Sequence, residues 1–162
     1  MLSAESVNEV LAYDRGTGKF AWRKGVRNRN SGKPAGTLAK NGYIEIAIGG
    51  KKYRAHRLAW LLVFGETPAC DIDHIDGNKA NNRIENLRLS TRAQNKWNVG
   101  ITKRNKSGYK GVSWCKQKNK WRATIRINNV QRNIGFYSDI EEAGRAYRNM
   151  AIMLHGEYFY HA

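Results

Sequence analysis

The 162-residue chain is poor in cysteine and in acidic residues, and it has no long apolar run. Its two cysteines, Cys70 and Cys115, are too few and too widely separated to form the paired-cysteine knuckle of a structural zinc site, so we expect any metal to be catalytic. The longest apolar stretch, Leu58 to Phe64, is far shorter than the roughly 18 residues that span a bilayer, and the N-terminus lacks a signal-peptide pattern. We therefore expect a cytoplasmic protein that is not secreted, with reduced thiols and no membrane partner.

The shortage of acidic residues leaves a large positive charge. The chain has 29 Lys and Arg residues against 13 Asp and Glu residues, for a formal net charge of +16. A charge of this size is typical of proteins that bind a polyanion. Nucleic acid is the first candidate for that partner, and a membrane surface is the second.

The segment DIDHIDGNKANNRIENLRLSTRAQNKWN holds the most informative group of polar residues. In it Asp73 precedes His74, and a carboxylate beside an imidazole suits phosphate chemistry: a hard divalent cation takes oxygen ligands, and a neutral histidine can take a proton from water. Adjacent strand residues point to opposite faces, so the two groups share one site only if the backbone turns or twists there. In the alternative interpretation, the segment is only a polar turn and His74 is a half-buried structural histidine.

The residues around this pair predict the order strand, loop, strand, helix. Asp76 to Asn78 has the composition of a turn. Leu87 to Leu89 alternates as a short returning strand does. Thr91 and Gln94 fit a capping box, which would begin a helix and place Asn95 in its first turn.

Residues Tyr53 to Asn98, with the pattern HR...DHIDGNKANNRIENL...QN, resemble the HNH endonuclease family, specifically the ββα-metal motif (His-Me finger) of phage and intron-encoded homing endonucleases. The resemblance implies that His74 is the general base and that Asp73 and the Asn95 carbonyl bind the metal. It also implies that Asn86 holds the His74 ring in its working tautomer. These asparagines and the resemblance favour a metal-dependent nuclease site over a polar turn.

The residues before the motif predict a small α+β unit. A weak helical pattern covers Ala4 to Tyr13, and a strand is expected at Phe20 to Arg23. Alternating isoleucines and a Gly-Gly turn predict a hairpin that returns through Lys51 to Arg57 and leads into a buried helix at Leu58 to Phe64. His56 matches an earlier histidine of the HNH pattern, with an implied structural or phosphate-contacting role. The expected core consists mostly of Trp22, the isoleucines, Leu58, Trp60, Leu61 and Phe64.

The C-terminal segment predicts a three-stranded antiparallel sheet packed on one helix. Strands are expected near 109–115, 121–127 and 130–135. Apolar residues recur at helical spacing from Ala143 to Leu154, which predicts an amphipathic helix over the apolar face of the sheet. The middle strand alternates between an apolar and a polar face: Trp121, Ala123, Ile125 and Ile127 on one, and Arg122, Thr124 and Arg126 on the other.

The motifs GYKGVSW, KWRATIRI, IGFYSDIEEAGRAY and LHGEYF, within about 108–160, resemble the APETALA2-type DNA-binding domain of plant ethylene-response factors, which also occurs in phage homing endonucleases. The resemblance implies that the sheet lies in the major groove and that side chains from all three strands contact DNA. Lys110 and Arg126 keep the basic character of the family pattern. The alternative is a basic but unspecific sheet face. The plant target sequence does not carry over, because other residue types replace the plant contacts at Ser113, Cys115, Thr124, Gln131 and Asn133.

The predicted domains are an HNH nuclease domain at 1–98, with its ββα-metal core at about 71–98, a basic linker at 99–107 and an APETALA2-like domain at 108–162. The linker segment is polar, basic and free of periodicity. The residues predicted to contact DNA are Arg54, His56, Arg57, Lys103, Arg104, Lys106, Lys110, Ser113, Arg122, Thr124, Arg126, Gln131, Arg132 and Asn133.

Together, the resemblances imply a site-specific DNA endonuclease of the HNH homing type, encoded by a phage or by a bacterial host. Double-stranded DNA is the expected partner, with one Mg²⁺ or Mn²⁺ ion in each active site. A monomer should nick DNA, and a homodimer should make a double-strand break. An unperturbed histidine base predicts activity that rises through about pH 6 to 8. The alternatives are a non-catalytic DNA-binding regulator and an RNA-binding protein.

Overall fold

The structure, a computed structural model, describes residues 2–24, 32–98, 100–102, 104–127 and 130–159. Its internal contacts divide the chain into two units, Met1–Asn95 and Lys96–Ala162. Both units combine helices with antiparallel strands, which confirms the predicted α+β class. The described helices include none that is long and apolar enough to cross a membrane.

Short helices and small antiparallel sheets make up the first unit. The elements in chain order are α1 (Ala4–Val10), β1 (Leu11–Asp14), β2 (Lys19–Trp22), β3 (Pro34–Ala35), β4 (Thr37–Leu38), β5 (Ile44–Ile48), β6 (Lys51–Arg54), α2 (Ala55–Phe64), β7 (Asp71–His74), β8 (Leu87–Ser90) and α3 (Arg92–Trp97), the last of which contains the point of division. The strands pair in the orders β1-β2-β3, β4-β5-β6 and β7-β8. A 3₁₀ turn at Ile84–Asn86 precedes β8.

Helix α1 is shorter than the sequence pattern predicts. Its start is closed by a capping box, in which the Ser3 hydroxyl accepts from the Ser6 amide and the Ser6 hydroxyl accepts from the Ser3 amide. The helix ends at Val10, because Leu11–Asp14 pairs with β2 as a strand and buries its first side chain completely. The prediction of a helix that continues to Tyr13 is therefore wrong in its last residues.

Most of the predicted core of the first unit is confirmed. Trp22 and Trp60 pack against it while half-buried. Phe64 is an exception, with 53% of its surface exposed. Helix α2 ends at this residue because Gly65 adopts a left-handed conformation with φ 81°, which turns the chain out of the helix. The largest fully buried side chains are Val7, Leu11, Ile46 and Leu58.

Helix α2 begins at Ala55, earlier than the predicted start at Leu58. The pairing of β5 with β6 ends at Arg54, so the predicted return strand through Arg57 is also too long. This boundary places His56 in the first helical turn, where it is buried.

The predicted order of strand, loop, strand and helix around the Asp-His pair is confirmed. Strands β7 and β8 are antiparallel, with Asp73 directly opposite Arg88. The capping box is confirmed as well, because the Thr91 amide donates to Gln94 Oε1 at 2.8 Å and the Gln94 amide donates to Thr91 Oγ1 at 3.2 Å. One hairpin and the helix after it therefore carry all the predicted catalytic and metal-binding residues.

A three-stranded antiparallel sheet and one long helix make up the second unit. The elements are β9 (Val112–Cys115), β10 (Lys120–Ile127), β11 (Val130–Tyr137) and α4 (Ile140–His155), with β10 in the centre of the sheet. Asp139 caps α4 by accepting from the Glu142 amide at 2.8 Å. The three predicted strands and the helix are confirmed, with adjusted ends.

The two faces of β10 divide as the alternation predicts. Ala123 and Ile125 are buried in the core of the second unit with side chains of α4. The intervening Arg122, Thr124 and Arg126 lie on the opposite face. Against β11, a bulge shifts the register between Ala123 and Thr124.

The segment predicted to be a linker, 99–107, has turn structure where it is described. The Asn105 amide donates to the carbonyl of Thr102 at 2.9 Å. The Ser107 hydroxyl lies 3.0 Å from the carbonyl of Tyr109 and 2.8 Å from that of Val112. These bonds tie the end of the segment to the start of the sheet in the second unit, and residues 99 and 103 lie outside the described residues.

Candidate active site

His74 ends strand β7 and is buried, with 4% of its surface exposed. Its Nε2 atom lies 3.3 Å from Oδ1 of Asn82, in the loop between β7 and β8. The Nδ2 atom of Asn82 donates to the carbonyl of Ala80 at 3.1 Å, which orients Oδ1 as the acceptor for the histidine. In the neutral ring, Nε2 therefore carries the proton and Nδ1 is the basic nitrogen.

The prediction that Asn86 orients the His74 ring is wrong. Asn86 Nδ2 donates to Oδ1 of Asp76 and to the carbonyl of Asn81, both at 2.9 Å. Its Oδ1 accepts from the Asp76 amide at 3.0 Å. Because Asn86 lies just before β8, its side chain reaches the loop and closes it, while Asn82 takes the position beside the ring.

Residues of the hairpin formed by β1 and β2 contact the backbone of Asn82 and hold it in place. The Tyr13 hydroxyl donates to the carbonyl of Asn82 at 2.7 Å, and burial raises the pKa of this phenol to about 12, so it remains a donor. Gly18, with φ 70°, lies so close to the backbone of Asn82 and Arg83 that a Cβ atom would collide with it. These contacts fix the partner of His74.

Burial lowers the pKa of His74 from its ordinary value of 6.5. The Asn82 hydrogen bond and the carboxylates of Asp76 and Asp73 oppose this shift, while the charge of Lys79 adds to it. A lowered pKa keeps the imidazole neutral at neutral pH, and the neutral form is the one that can take a proton. The direction of this shift differs from the unperturbed pKa expected from the sequence.

His56 packs edge-on against His74, with ring centres 5.0 Å apart and an interplanar angle of 86°. Only 3% of its surface is exposed, and burial, followed by the charge of a protonated His74, lowers its pKa to about 3. The Tyr43 ring lies 5.2 Å from His56 and 6.0 Å from His74. Of the two roles expected for His56, structural and phosphate-contacting, a buried ring packed beside His74 favours the structural one.

Asp73 forms an ion pair with Arg88, the residue opposite it on β8. Its Oδ2 atom accepts from Nε at 3.0 Å and from Nη2 at 2.8 Å of the guanidinium. Both side chains are largely buried, with 5% of the aspartate and 12% of the arginine side chain exposed. The guanidinium neutralises the buried carboxylate and fixes its direction.

The oxygen donors predicted to bind a metal fit a hard cation. Asn95 is half-buried in the first turn of α3, and its amide donates to the carbonyl of Thr91 at 3.0 Å. A carboxylate and an amide carbonyl are ligands that Mg²⁺ and Mn²⁺ accept, with water or phosphate oxygens completing the site. Among the described residues, no three His, Cys, Asp or Glu side chains form a group that could hold a metal. A cation at these donors has to share Asp73 with Arg88.

The predicted DNA contacts of the first unit and of the linker segment have different environments. Arg54 is exposed at the end of β6, with its guanidinium carbon 4.5 Å from the centre of a tyrosine ring. Arg57 is half-buried and donates one hydrogen bond to a backbone carbonyl at 2.9 Å, and its contact with DNA stays a prediction. Arg104 and Lys106 are exposed, and Lys103 lies outside the described residues.

Six predicted DNA contacts of the second unit share the outward face of the sheet. The Gln131 amide donates to the Thr124 hydroxyl at 3.1 Å, a contact between two of them. Residues directly opposite each other on neighbouring strands lie on the same face. The pairs are Arg122 with Ser113, Thr124 with Asn133, and Arg126 with Gln131.

Two further predicted contacts do not lie on this face. Lys110 is half-buried, and its Nζ atom donates to the carbonyl of Trp97 at 2.7 Å. Burial lowers the pKa of this lysine. Arg132 pairs with Ile125, whose side chain is in the core, so Arg132 lies on the face that carries the helix. The assignments of Lys110 and Arg132 to the DNA-contacting face are therefore corrected.

Four residues of the first unit were not identified from the sequence. The Asn-Asn doublet at 81–82 is typical of a loop or of the start of a short helical turn, and it is the one available signal for Asn82. Lys79 belongs to the same loop, and Tyr43 is too distant in sequence for any local pattern to connect it with the histidines. Arg88 follows from the register of the hairpin, since it lies opposite Asp73.

The chain is similar in sequence to known proteins along most of its length. The sequence profile of HNH endonucleases matches residues 53–96. Protein 3.8 of Escherichia phage T7 is 38% identical over 109 residues, which cover 67% of this chain and 89% of that protein. An uncharacterized HNH endonuclease of Acanthamoeba polyphaga mimivirus is 34% identical over 157 residues, which cover 95% of this chain and 80% of that protein. The HNH homing endonuclease I-HmuI, solved in a study of DNA binding and cleavage, has a TM-score of 0.44 and 26% identity, and the match covers 76% of this chain and 71% of that one.

Proposed function

This chain belongs to the HNH endonuclease family, and we propose that it is a metal-dependent homing-type enzyme that hydrolyses phosphodiester bonds of double-stranded DNA. The observation that carries the proposal is the buried His74, whose Nε2 atom is held by Asn82 so that Nδ1 is the basic nitrogen. The formal charge of +16 supports a polyanionic substrate.

In the proposed reaction, Nδ1 of His74 takes a proton from water as the water oxygen attacks phosphorus. The new bond to phosphorus forms while the bond to the 3′ oxygen breaks, and this oxygen takes a proton from solvent water, which leaves a 5′-phosphate and a 3′-hydroxyl. Asn82 keeps the ring in the required tautomer, and Asn86 keeps the surrounding loop closed. Asp73 and Asn95 would hold one Mg²⁺ or Mn²⁺ ion, which when bound stabilises negative charge on the departing oxygen.

The proposed role of the second unit is DNA recognition, as the resemblance to the APETALA2 type implies, with segment 99–107 as the connection. Support comes from the two faces of β10, since Arg122 and Arg126 lie on the outward face and alternate along the strand with core residues of the other face. An arginine that reads a guanine contributes about 1–3 kcal/mol of specific binding. Arg126→Ala should therefore relax sequence preference in a selection from random duplexes. An unchanged preference in both Arg122→Ala and Arg126→Ala would remove this face from site recognition.

A supercoiled-plasmid assay tests the nuclease proposal. Wild-type protein with Mg²⁺ should convert supercoiled DNA to open circles, and the same protein in EDTA should not. Linear product would indicate two active sites that act together, as in a homodimer. If the protein binds DNA but leaves plasmids and a broad library of sites intact with either Mg²⁺ or Mn²⁺, a non-catalytic DNA-binding regulator replaces the proposal.

A further inference from the structure

Two cationic side chains lie on the ring of Tyr43, which lies beside His56 and His74. The guanidinium carbon of Arg54 lies 4.5 Å from the centre of the Tyr43 ring, and Nζ of Lys79 lies 5.0 Å from it. Both distances are within the roughly 6 Å over which a cation is attracted to an aromatic ring. Arg54 ends β6 and Lys79 lies between β7 and β8, so the fold brings together charges that are distant in sequence.

Lys79 is held by a second contact. Its Nζ atom donates to the carbonyl of Asn41 at 3.3 Å, and its aliphatic carbons lie next to Gly42. The turn between β4 and β5 therefore supplies both the Tyr43 ring and the carbonyl that fix this lysine. A side chain that is already ordered loses less conformational freedom when it binds an anion.

Neither cation forms an ion pair with a carboxylate within the described ranges, and Glu45, which lies opposite Arg54, pairs with Lys52. Both Arg54 and Lys79 are exposed. Two like charges beside one ring repel each other, and an anion placed between them relieves that repulsion. The ion pairs of the described residues involve other side chains: Lys52 with Glu45, Arg88 with Asp73, and Arg145 with Glu141.

The ring that carries these cations borders the proposed base. The centre of Tyr43 lies 6.0 Å from that of His74 and 5.2 Å from that of His56. Lys79 is near enough for its charge to act on the His74 ring. A DNA strand carries a phosphate at roughly every 3.4 Å of helix axis, so a strand attacked at His74 presents further phosphates within a short distance.

We propose that Arg54 and Lys79, held on the Tyr43 ring, form a phosphate clamp for a neighbouring, uncut phosphate of the DNA strand that His74 attacks. This proposal rests on the proposed nuclease function, because that function identifies the strand as the one that is cut. Tyr43 is a positioning residue, because it contacts the two cations and the histidines and not the reacting atoms. The clamp contacts backbone only, so it adds affinity without base preference.

The salt dependence of duplex binding, measured in EDTA to prevent cutting, tests the clamp. Each lost phosphate contact reduces the slope of log K against log salt by about 0.9. The clamp holds one phosphate, so the double variant of Lys79→Gln and Arg54→Gln loses one contact. Between 50 and 200 mM salt, its affinity should therefore fall less than that of wild type, by a factor of about 3.5. Each single variant should have a slope between those of wild type and the double variant.

Two variants are matched controls, and thermal melts verify that each variant is folded. Tyr43→Phe keeps the ring and should keep the wild-type slope, whereas Tyr43→Leu removes the ring and should lower the slope. Lys51→Gln removes the same charge from the same strand as Arg54. Because side chains alternate along β6, Lys51 lies on the opposite face, and its removal should leave the slope unchanged.

The outcomes separate the clamp from the enzyme. Slopes for Lys79→Gln, Arg54→Gln and Tyr43→Leu that equal the Lys51→Gln slope overturn the clamp, whether or not the protein cuts DNA. The expected slopes in a protein that does not cut with Mg²⁺ support the phosphate contact and reject the nuclease function. In a protein that cuts, Lys79→Gln should raise KM, and an unchanged KM counts against the clamp.

Discussion

Replacement of Arg88 by methionine removes the guanidinium from a carboxylate with only 5% of its side-chain surface exposed. Oδ2 of Asp73 receives two hydrogen bonds from this arginine, at 3.0 and 2.8 Å. Removing one partner of a buried ion pair costs about 3–5 kcal/mol, because the remaining charge stays buried. We therefore expect Arg88→Met to lower the free energy of unfolding of the first unit by about 3–5 kcal/mol.

Urea unfolding in EDTA, followed by tryptophan fluorescence, measures this loss. Arg145→Met is the matched control, because it breaks the exposed pair with Glu141 and should change stability by at most about 1 kcal/mol. Arg88→Met combined with Asp73→Leu removes both buried charges and should recover most of the loss. A loss for Arg88→Met no larger than that of the control would refute the reasoning.

The same unfolding experiment can be repeated with Mg²⁺ in place of EDTA, to measure how far a divalent cation stabilises each protein. A cation that binds only the folded protein stabilises it by about 2.7 kcal/mol at a concentration 100 times Kd. If the cation and Arg88 share Asp73, Mg²⁺ should stabilise Arg88→Met more than it stabilises wild type. Equal stabilisation of the two proteins would contradict the assignment of Asp73 as a metal ligand.

Three further predictions concern the histidines and their supports. The pKa of His56 is about 3 in the folded protein and 6.5 as a free group. Between these two pH values the unfolded chain binds a proton at His56 that the folded protein does not bind. The free energy of unfolding should therefore fall as pH falls from about 6.5 toward 3. His56→Phe should flatten this part of the stability profile from urea unfolding, and a profile as steep as that of wild type would rule out His56 as the cause. Asn82→Ala should lower kcat by about 10- to 100-fold, because the base loses the partner that sets its tautomer, and an unchanged kcat would exclude that role. Gly18→Ala should lower the free energy of unfolding, measured in urea, by more than about 1–2 kcal/mol, because an alanine is strained at φ 70° and its Cβ atom would collide with the backbone of Arg83. Gly16→Ala should leave the free energy of unfolding nearly unchanged, and an equal loss in the two variants would contradict this reasoning.

Patterns within single elements were sufficient to predict most of the elements around the site. Thr91 and Gln94 are three residues apart, and their reciprocal hydrogen bonds depend only on local geometry. The alternation along β10 likewise predicted which face is buried. The boundary between β6 and α2 could not be predicted in this way, because the pairing of Arg54 with Glu45 on another strand decides where β6 ends.

Contacts between distant segments could not be predicted from local patterns. Several asparagines follow His74, and the fold selects Asn82, since Tyr13 and Gly18 of another hairpin hold its backbone. The position of Tyr43 beside the histidines depends on a third hairpin. The position of Arg132 is a different case, because it follows from simple alternation with Gln131 and Asn133 along β11.

The cleavage rate of His74→Ala at matched DNA occupancy tests most directly whether His74 is the base of a DNA-cutting site. Wild type, His74→Ala and the control His155→Ala, which removes a buried histidine of the second unit, are compared on one supercoiled plasmid with Mg²⁺. We expect wild type and the control to cut, and His74→Ala to bind equally well but cut at least about 100-fold more slowly. Cutting by His74→Ala at the wild-type rate would contradict the assignment of His74 as the base.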